Sequence, residues 1–164
     1  MKNEYFLNLE QLSQGAQLDS SELLDNLAFN ENGLMPVITQ EASSKEVLMM
    51  AWINRQALAY TLDTGFATYW SRSRLALWKK GETSGHLQSI QEIRVDCDGD
   101  TLLFLVDQVG AACHTGRRHC FYFSLTDGGK VRVTSDPDSG HSGTQHEEPI
   151  TANSGVQSGC RTVG

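Results

Sequence analysis

Apolar residues in the first part of the chain recur at helical spacing: Phe6, Leu9 and Leu12, then Leu23, Leu24 and Leu27. This pattern predicts two short helices over residues 1–32, the second capped by Ser20 or Ser21, with Glu22 in its first turn and Asn32-Gly33 breaking the chain after it. The period then changes. The apolar runs LMPVI and VLMMAWI flank a polar stretch at 39–46, which is how a β-hairpin reads in sequence. Asn54 is placed to cap a helix running through Leu62, and Gly65 supplies its stop. ATYWS and HLQSIQEIRV read as further strands. Asp98-Gly99 falls between IRVDC and DTLLFLV as a two-residue turn of type I′, and FYFSL and KVRV form a last hairpin through Asp127-Gly128-Gly129.

These elements predict an α+β fold of mostly antiparallel β-hairpins with a few short helices: an N-terminal helical arm at 1–32, a folded body at 33–133, and a polar tail at 134–164. In the tail only Ile150, Ala152, Val156, Cys160 and Val163 are apolar, too few to fold alone. A length of 164 residues suits one domain with a hydrophobic core. No stretch approaches the roughly 20 apolar residues of a membrane span. Thirteen Lys and Arg against twenty Asp and Glu leave a net charge of −7, which opposes general binding to nucleic acid or anionic lipid. The opening residues alternate charge and apolarity instead of building a secretory apolar run, so a cytoplasmic location is expected. There, cysteines serve more often as metal ligands or free thiols than as disulfides.

Cys97, Cys113 and Cys120 are separated by fifteen and then six residues. Paired zinc knuckles are spaced more tightly, so on spacing alone zinc ligands and buried structural cysteines both remain open. The setting favours a site, because Cys113 and Cys120 bracket the polar run His-Thr-Gly-Arg-Arg-His between apolar strands. His114 and His119 there suit metal ligation, proton transfer near neutral pH, or plain solvation on a loop. Asp96, Asp98 and Asp100 alternate with Cys97 and Gly99, and clustered carboxylates suit Mg²⁺ or Ca²⁺ unless the loop is simply a solvated turn. An EF-hand does not fit: Thr101 stands where glycine is needed, Asp107 stands where glutamate is needed, and a strand follows. Ligand softness would send zinc to the thiolates and magnesium to the carboxylates.

Residues 69–81 hold Arg72, Arg74, Lys79 and Lys80 with no acid, and Arg117-Arg118 form a second basic patch. Two such patches suit a substrate with two phosphates, since guanidinium forks pair with phosphate oxygens and Ser71, Ser73, Thr83 and Ser84 add hydroxyl donors. Gly81 and Gly85 bracket Glu82, Thr83 and Ser84, which lets backbone approach an anion. The alternative is a charged strand edge. Trp70 and Trp78 read as core or as stacking platforms. The chain has no P-loop, no G-x-G-x-x-G and no G-x-S-x-G. The zinc-deaminase pattern also fails, because His86 is followed by Leu87-Gln88 and no cysteine pair has the required spacing.

In order along the chain, YWSRSRLALWKKGETSGH at 69–86, EIRVDCDGD at 92–100 and ACHTGRRHCFY at 112–122 resemble the phosphoribosyl-AMP cyclohydrolase family of histidine biosynthesis, over roughly residues 32–123. The resemblance implies a hydrolase that opens the adenine ring of 1-(5-phosphoribosyl)-AMP at N1–C6, giving the formimino-aminoimidazole carboxamide ribotide ProFAR. It further implies an obligate homodimer of the monofunctional form, with 33–133 as the catalytic domain and diphosphate removal from phosphoribosyl-ATP left to a separate protein. Carried over by position, Cys113 and Cys120 bind zinc from one subunit and Cys97 from the other, one ion per subunit, while Asp96, Asp98 and Asp100 match magnesium ligands. His114 is the first choice for proton transfer and His119 the second. Arg72, Ser73, Arg74, Lys80, Glu82, Thr83, Ser84, Arg117 and Arg118 form the expected substrate-binding set, an assignment resting mainly on charge. Competing classes are a non-enzymatic zinc-stabilised nucleotide-binding module, in which Cys160 closes a four-thiolate site, and a metal-dependent phosphatase.

Overall fold

The computed structural model describes residues 3–126 and 128–138. The expected turn residue Asp127, most of the polar tail and Cys160 lie outside the described residues. Strands β1 (Met35–Glu41) and β2 (Val47–Ile53) form the hairpin that their apolar runs predict, with Met35 opposite Ile53. Alternation sets the faces: Met35, Val37 and Thr39 are fully buried, whereas Ile38 points outward at 39% exposure. At Thr39/Gln40 the register slips and Leu48 has no partner on β1. This bulge leaves the Leu48 carbonyl outside the ladder.

The remaining body strands are β3 (Thr68–Ser71), β4 (Ala76–Lys79), β5 (Gln88–Val95) and β6 (Leu102–Gln108), in the sheet order β4-β3-β2-β1-β6-β5. Every pair in this sheet runs antiparallel but one: β1 and β6 run parallel, with Val37 beside Leu102. The sheet is therefore mixed. That pairing joins segments more than sixty residues apart, which alternation within either segment cannot reveal. β4 is a second departure, because LALWKK reads as part of a basic island and not as a strand. The sheet also curls. Phe66 bridges Ser89, the Ala67 N–H donates to the Gln88 carbonyl at 3.0 Å, and the Ile90 N–H donates to Gly65 at 2.8 Å.

Helix α3 (Arg55–Thr64) packs Ala57, Leu58 and Thr61 inward. Its cap and stop are those expected, with Asn54 Oδ1 accepting from the Ala57 N–H at 2.8 Å and Gly65 left-handed at φ 73°. A buried polar chain crosses the sheet interior. Tyr69 Oη lies 2.7 Å from Thr39 Oγ1 and donates to Gln88 Oε1 at 2.7 Å, and Gln88 Nε2 donates to Gln108 Oε1 at 2.7 Å. Burial pushes the Tyr69 phenol far above its ordinary pKa. β7 (Phe123–Thr126) and β8 (Lys130–Val133) pair as a separate two-stranded ribbon.

The arm holds helices α1 (Glu4–Leu9) and α2 (Ser20–Asp25). It is not a detached element, since Phe6 and Leu27 belong to the main core. Two boundaries differ from expectation. Asp19, not Ser20 or Ser21, caps α2 by accepting from the Glu22 N–H at 3.0 Å, because Asp19 keeps extended backbone while both serines are already helical. The helix also ends at Asp25, well before Asn32-Gly33. Among the described residues, no helix is long and apolar enough to cross a membrane.

Candidate active site

The stretch between β6 and β7 brings two of the three thiols together. Cys113 and Arg117 are joined by the Cys113 N–H to Arg117 carbonyl bond at 3.1 Å, and Ala112 N–H donates to Arg118 at 3.1 Å. The chain therefore folds back as a small hairpin, reversed at Gly116, whose φ is 82° and whose N–H returns to the Cys113 carbonyl at 3.1 Å. The six residues between the thiols are the length of that reversal. Cys120 is then anchored by its N–H on the free Leu48 carbonyl at 2.7 Å, so the bulge in β2 receives the second cysteine.

One ion pair pins this loop to the sheet. Glu41, 5% exposed at the end of β1, accepts from Arg118 Nη2 at 2.5 Å and from the Gln108 N–H at 3.2 Å. Arg118 Nη1 donates further to the carbonyls of Gln108 at 3.2 Å and Gly110 at 3.0 Å. Arg117 lies 4.1 Å over the Tyr122 ring and donates through Nε to the Ser135 carbonyl at 2.8 Å. Both arginines therefore carry intrachain contacts, and those of Arg118 are the more extensive.

Cys113 and Cys120 open on a cleft of about 650 Å³ that also receives Lys80, Thr83, Ser84, His86 and His114. Burial opposes ionisation of Cys113, but the Thr115 hydroxyl, 3.1 Å from its sulfur, the Thr115 amide, Cys120 and Arg117 outweigh it and hold this thiol below its ordinary value. Cys120 is pushed up to about 11 by burial and by the facing Cys113. Burial lowers the Lys80 ammonium, and the two sulfurs work against that shift. Facing thiols of unequal acidity, beside a cation and a hydroxyl donor, suit a soft divalent metal.

His86 is the residue in this cleft that the sequence did not single out as functional. Its place is fixed by two glycines with positive φ. A Cβ on Gly81 would lie 2.3 Å from the His86 carbonyl carbon, and one on Gly110 would lie 2.6 Å from the ring Cδ2. Of the two, only Gly81 lies in KKGETSGH, while Gly110 is distant in sequence. His119, the second choice for proton transfer, is not among the cleft's lining residues; its Nε2 sits 3.5 Å from Glu46 Oε1, and its Nδ1 is buried with no hydrogen-bond partner among the described residues.

The third thiol lies elsewhere. Cys97 is on the 96–100 loop joining β5 to β6, next to the start of β1, whereas Cys113 and Cys120 follow the far end of β6. Seven residues of β6 put these ends on the order of 20 Å apart. Among the described residues of one chain, no three His, Cys, Asp or Glu side chains gather to hold a metal. The loop is also not the type I′ turn expected. Only Gly99 has positive φ, at 71°, and Asp96 and Thr101 still pair through an N–H to carbonyl bond of 3.1 Å, which leaves four residues in the turn. Asp96 Oδ1 accepts from the Asp100 and Thr101 amides at 3.0 and 3.2 Å, an Asx-type contact that breaks the simple alternation of carboxylates. Burial pushes Asp100 up, as do the nearby Asp96 and Asp98, against the hydrogen bond from the Thr101 hydroxyl. Asp96 and Asp98 thus lie near enough to Asp100 to oppose its charge, although the three carboxylates do not converge as a metal-holding group among the described residues of one chain.

The basic island divides as well. Lys80, Thr83 and Ser84 line the thiol cleft, with Glu82 exposed on the same turn. Arg72 instead lines a second cavity, of about 700 Å³, with Leu34, Asn54 and Trp70, and its guanidinium lies 4.9 Å over Trp52. Ser73 and Arg74 share the exposed β3–β4 turn with Arg72, and Arg74 Nε donates to Ser71 Oγ at 3.3 Å.

A curled mixed sheet brings a thiol pair, two histidines and a lysine to one cleft, the residue types of an enzyme's active site. A family model described as phosphoribosyl-AMP cyclohydrolase matches residues 49–122, the span holding the three thiols, the three carboxylates and the basic island. The phosphoribosyl-AMP cyclohydrolase of Alcanivorax borkumensis is 54% identical over 132 residues, covering 80% of this chain and 92% of that protein. That of Halorhodospira halophila is 58% identical over 123 residues, covering 75% and 86%. The protein named phosphoribosyl-AMP cyclohydrolase 2 in Pseudomonas fluorescens is 54% identical over 137 residues, covering 82% and 92%. The chain belongs to the phosphoribosyl-AMP cyclohydrolase family and is an enzyme of that family.

Proposed function

We propose that this enzyme hydrolyses the N1–C6 bond of 1-(5-phosphoribosyl)-AMP in histidine biosynthesis, as a cytoplasmic homodimer whose active sites are each built from two chains. The observation that carries the reading is the division of the thiols. Cys113 and Cys120 face each other at one end of the sheet, and the third cysteine lies beyond reach at the other, so Cys97 of the partner subunit completes the set. Zinc held there supplies Lewis acidity and makes water a better nucleophile. Asp96, Asp98 and Asp100 would hold magnesium, which would offset phosphate charge.

The chain's own residues account for the rest. Ribosylation at N1 leaves C6 electron-poor. His114 accepts a proton from the water attacking C6 and returns it to N1 as the N1–C6 bond breaks, leaving C6 as a carboxamide; His86, in the same cleft, is the second proton carrier. His119 remains an alternative carrier, its Nε2 lying 3.5 Å from Glu46 Oε1. Lys80, Thr83 and Ser84 bind one phosphate, Arg72, Ser73 and Arg74 bind the other, and Glu82 meets ribose hydroxyls. Arg117 keeps N–H groups for an anion, whereas Arg118 shapes the loop through Glu41.

The test is to mix purified protein with phosphoribosyl-AMP and follow the ultraviolet change of purine opening, with and without a zinc chelator. Loss of turnover on chelation and its return with added zinc support the reading. Full turnover in metal-stripped protein, or release of inorganic phosphate in place of ring opening, contradicts it. X-ray absorption on the zinc-loaded protein separates three sulfurs plus a lighter donor from the four sulfurs of a closed structural site.

A further inference from the structure

The N-terminal arm lies outside the stretch that the family model matches, yet its contacts converge on the loop that carries Cys97. Asn3 Nδ2 donates to the Asn26 carbonyl at 2.6 Å, fixing the start of α1 to the end of α2. From α3, the Arg55 guanidinium donates to the carbonyls of Leu24 at 3.1 Å and Asp25 at 3.3 Å and lies 4.7 Å over the Phe29 ring. The arm held this way grips Gly99 from two directions. The Ala28 N–H donates to the Gly99 carbonyl at 2.8 Å, and the Phe6 ring covers its α-carbon so closely that a Cβ there would lie 2.0 Å from Phe6 Cε2. Phe6 is 6% exposed, and Gly99 is buried in a loop whose other members are not.

We propose that Phe6 and Ala28 are positioning residues for Cys97: by holding Gly99 they preset the loop backbone, so the arm belongs to the apparatus that offers the third thiol to the metal. This rests on the reading of Cys97 as a zinc ligand. The physical basis is ordering entropy. Fixing backbone that is otherwise free costs conformational entropy, and a loop already ordered in the metal-free protein does not charge that cost to metal binding. A six-residue helix such as α1 is marginal by itself, so the clamp depends on Phe6 staying packed.

The experiment is a competition titration of full-length protein with Zn²⁺ against a chromophoric chelator, with Co²⁺ substitution to read thiolate charge-transfer absorption. The proteins compared are wild type, Cys97→Ser, Phe6→Ala, Phe6→Leu and Leu77→Ala. Leu77 packs against the core from β4, away from the arm, and serves as a control for stability alone. Phe6→Ala should weaken metal binding about tenfold and reduce the Co²⁺ thiolate band, the fold-change of about one residue's ordering. Phe6→Leu should restore most of both, and Leu77→Ala should lower Tm while leaving both unchanged. If Cys97→Ser binds weakly but Phe6→Ala and Phe6→Leu bind like wild type, the arm is packing only and the proposal fails while the zinc reading stands. If Leu77→Ala weakens the metal as much as Phe6→Ala at equal Tm loss, the effect is general stability and the proposal also fails. If Cys97→Ser binds like wild type, both are overturned.

Discussion

The two ends of the central sheet are built by opposite means. The thiol-pair end is made from inside: a β-bulge offers a carbonyl to Cys120, and a buried carboxylate on β1 pins the loop through Arg118. The Cys97 end is made from outside, by an arm whose ring and amide rest on one glycine of an exposed turn. Neither end holds a complete ligand set. On the proposed reading these are two half-sites of one chain that become a single site between copies.

The largest effect should come from breaking the internal pin. Glu41→Gln keeps an oxygen that can accept from both Arg118 and the Gln108 N–H, since both bonds land on Oε2, but it removes the negative charge that pairs with Arg118, and should cost about 2–3 kcal/mol, below the figure for a fully buried pair because Arg118 is partly exposed. Denaturant unfolding measures it. Gly99→Ala tests the external clamp: strain at positive φ and collision with Phe6 together should cost about 2 kcal/mol. Adding Phe6→Ala should relieve part of that loss, so the double variant is less damaged than the sum of the singles; strict additivity would mean the ring and the glycine do not interact. Removing the α3 cap with Asn54→Ala should cost about 1 kcal/mol and leave thiol chemistry unchanged.

The smallest effect is a titration. In metal-free Cys97→Ser protein, raising the pH should ionise Cys113 first, because its value lies below the ordinary thiol value, and Cys120 only near pH 11. Since the Cys113 sulfur helps to hold Cys120 up, Cys113→Ser should bring the Cys120 midpoint down, as followed by thiolate ultraviolet absorbance. An unchanged midpoint would mean that the two sulfurs are not electrostatically coupled.

Local patterns in the sequence carried the β1–β2 hairpin, the cap and stop of α3 and the β7–β8 ribbon, because each depends on residues near one another in the chain. The parallel β1–β6 pair did not show, since its register joins Val37 to Leu102 and depends on which buried faces meet. β4 was hidden because its lysines belong to a charged run, although Leu77 and Trp78 pack on the core. In the site, the cysteines and aspartates were visible as unusual residue types at close spacing. His86 was not, because its importance comes from two glycines, one of them distant in sequence, that leave room for its backbone and ring. The basic island read as one patch, but the β3–β4 hairpin places Lys80 and Arg72 beyond its opposite ends, with Thr68 opposite Lys79 and Ser71 opposite Ala76.

The most direct measurement of a site shared between chains is subunit complementation. Cys97→Ser and Cys113→Ser proteins, each inactive alone, are mixed, partly unfolded and refolded together so that subunits exchange. A shared site requires ring-opening activity and bound zinc to return, because a mixed dimer regains one intact set of three thiols. Mixtures that stay inactive while exchange is demonstrated by differently tagged chains would contradict the two-chain site.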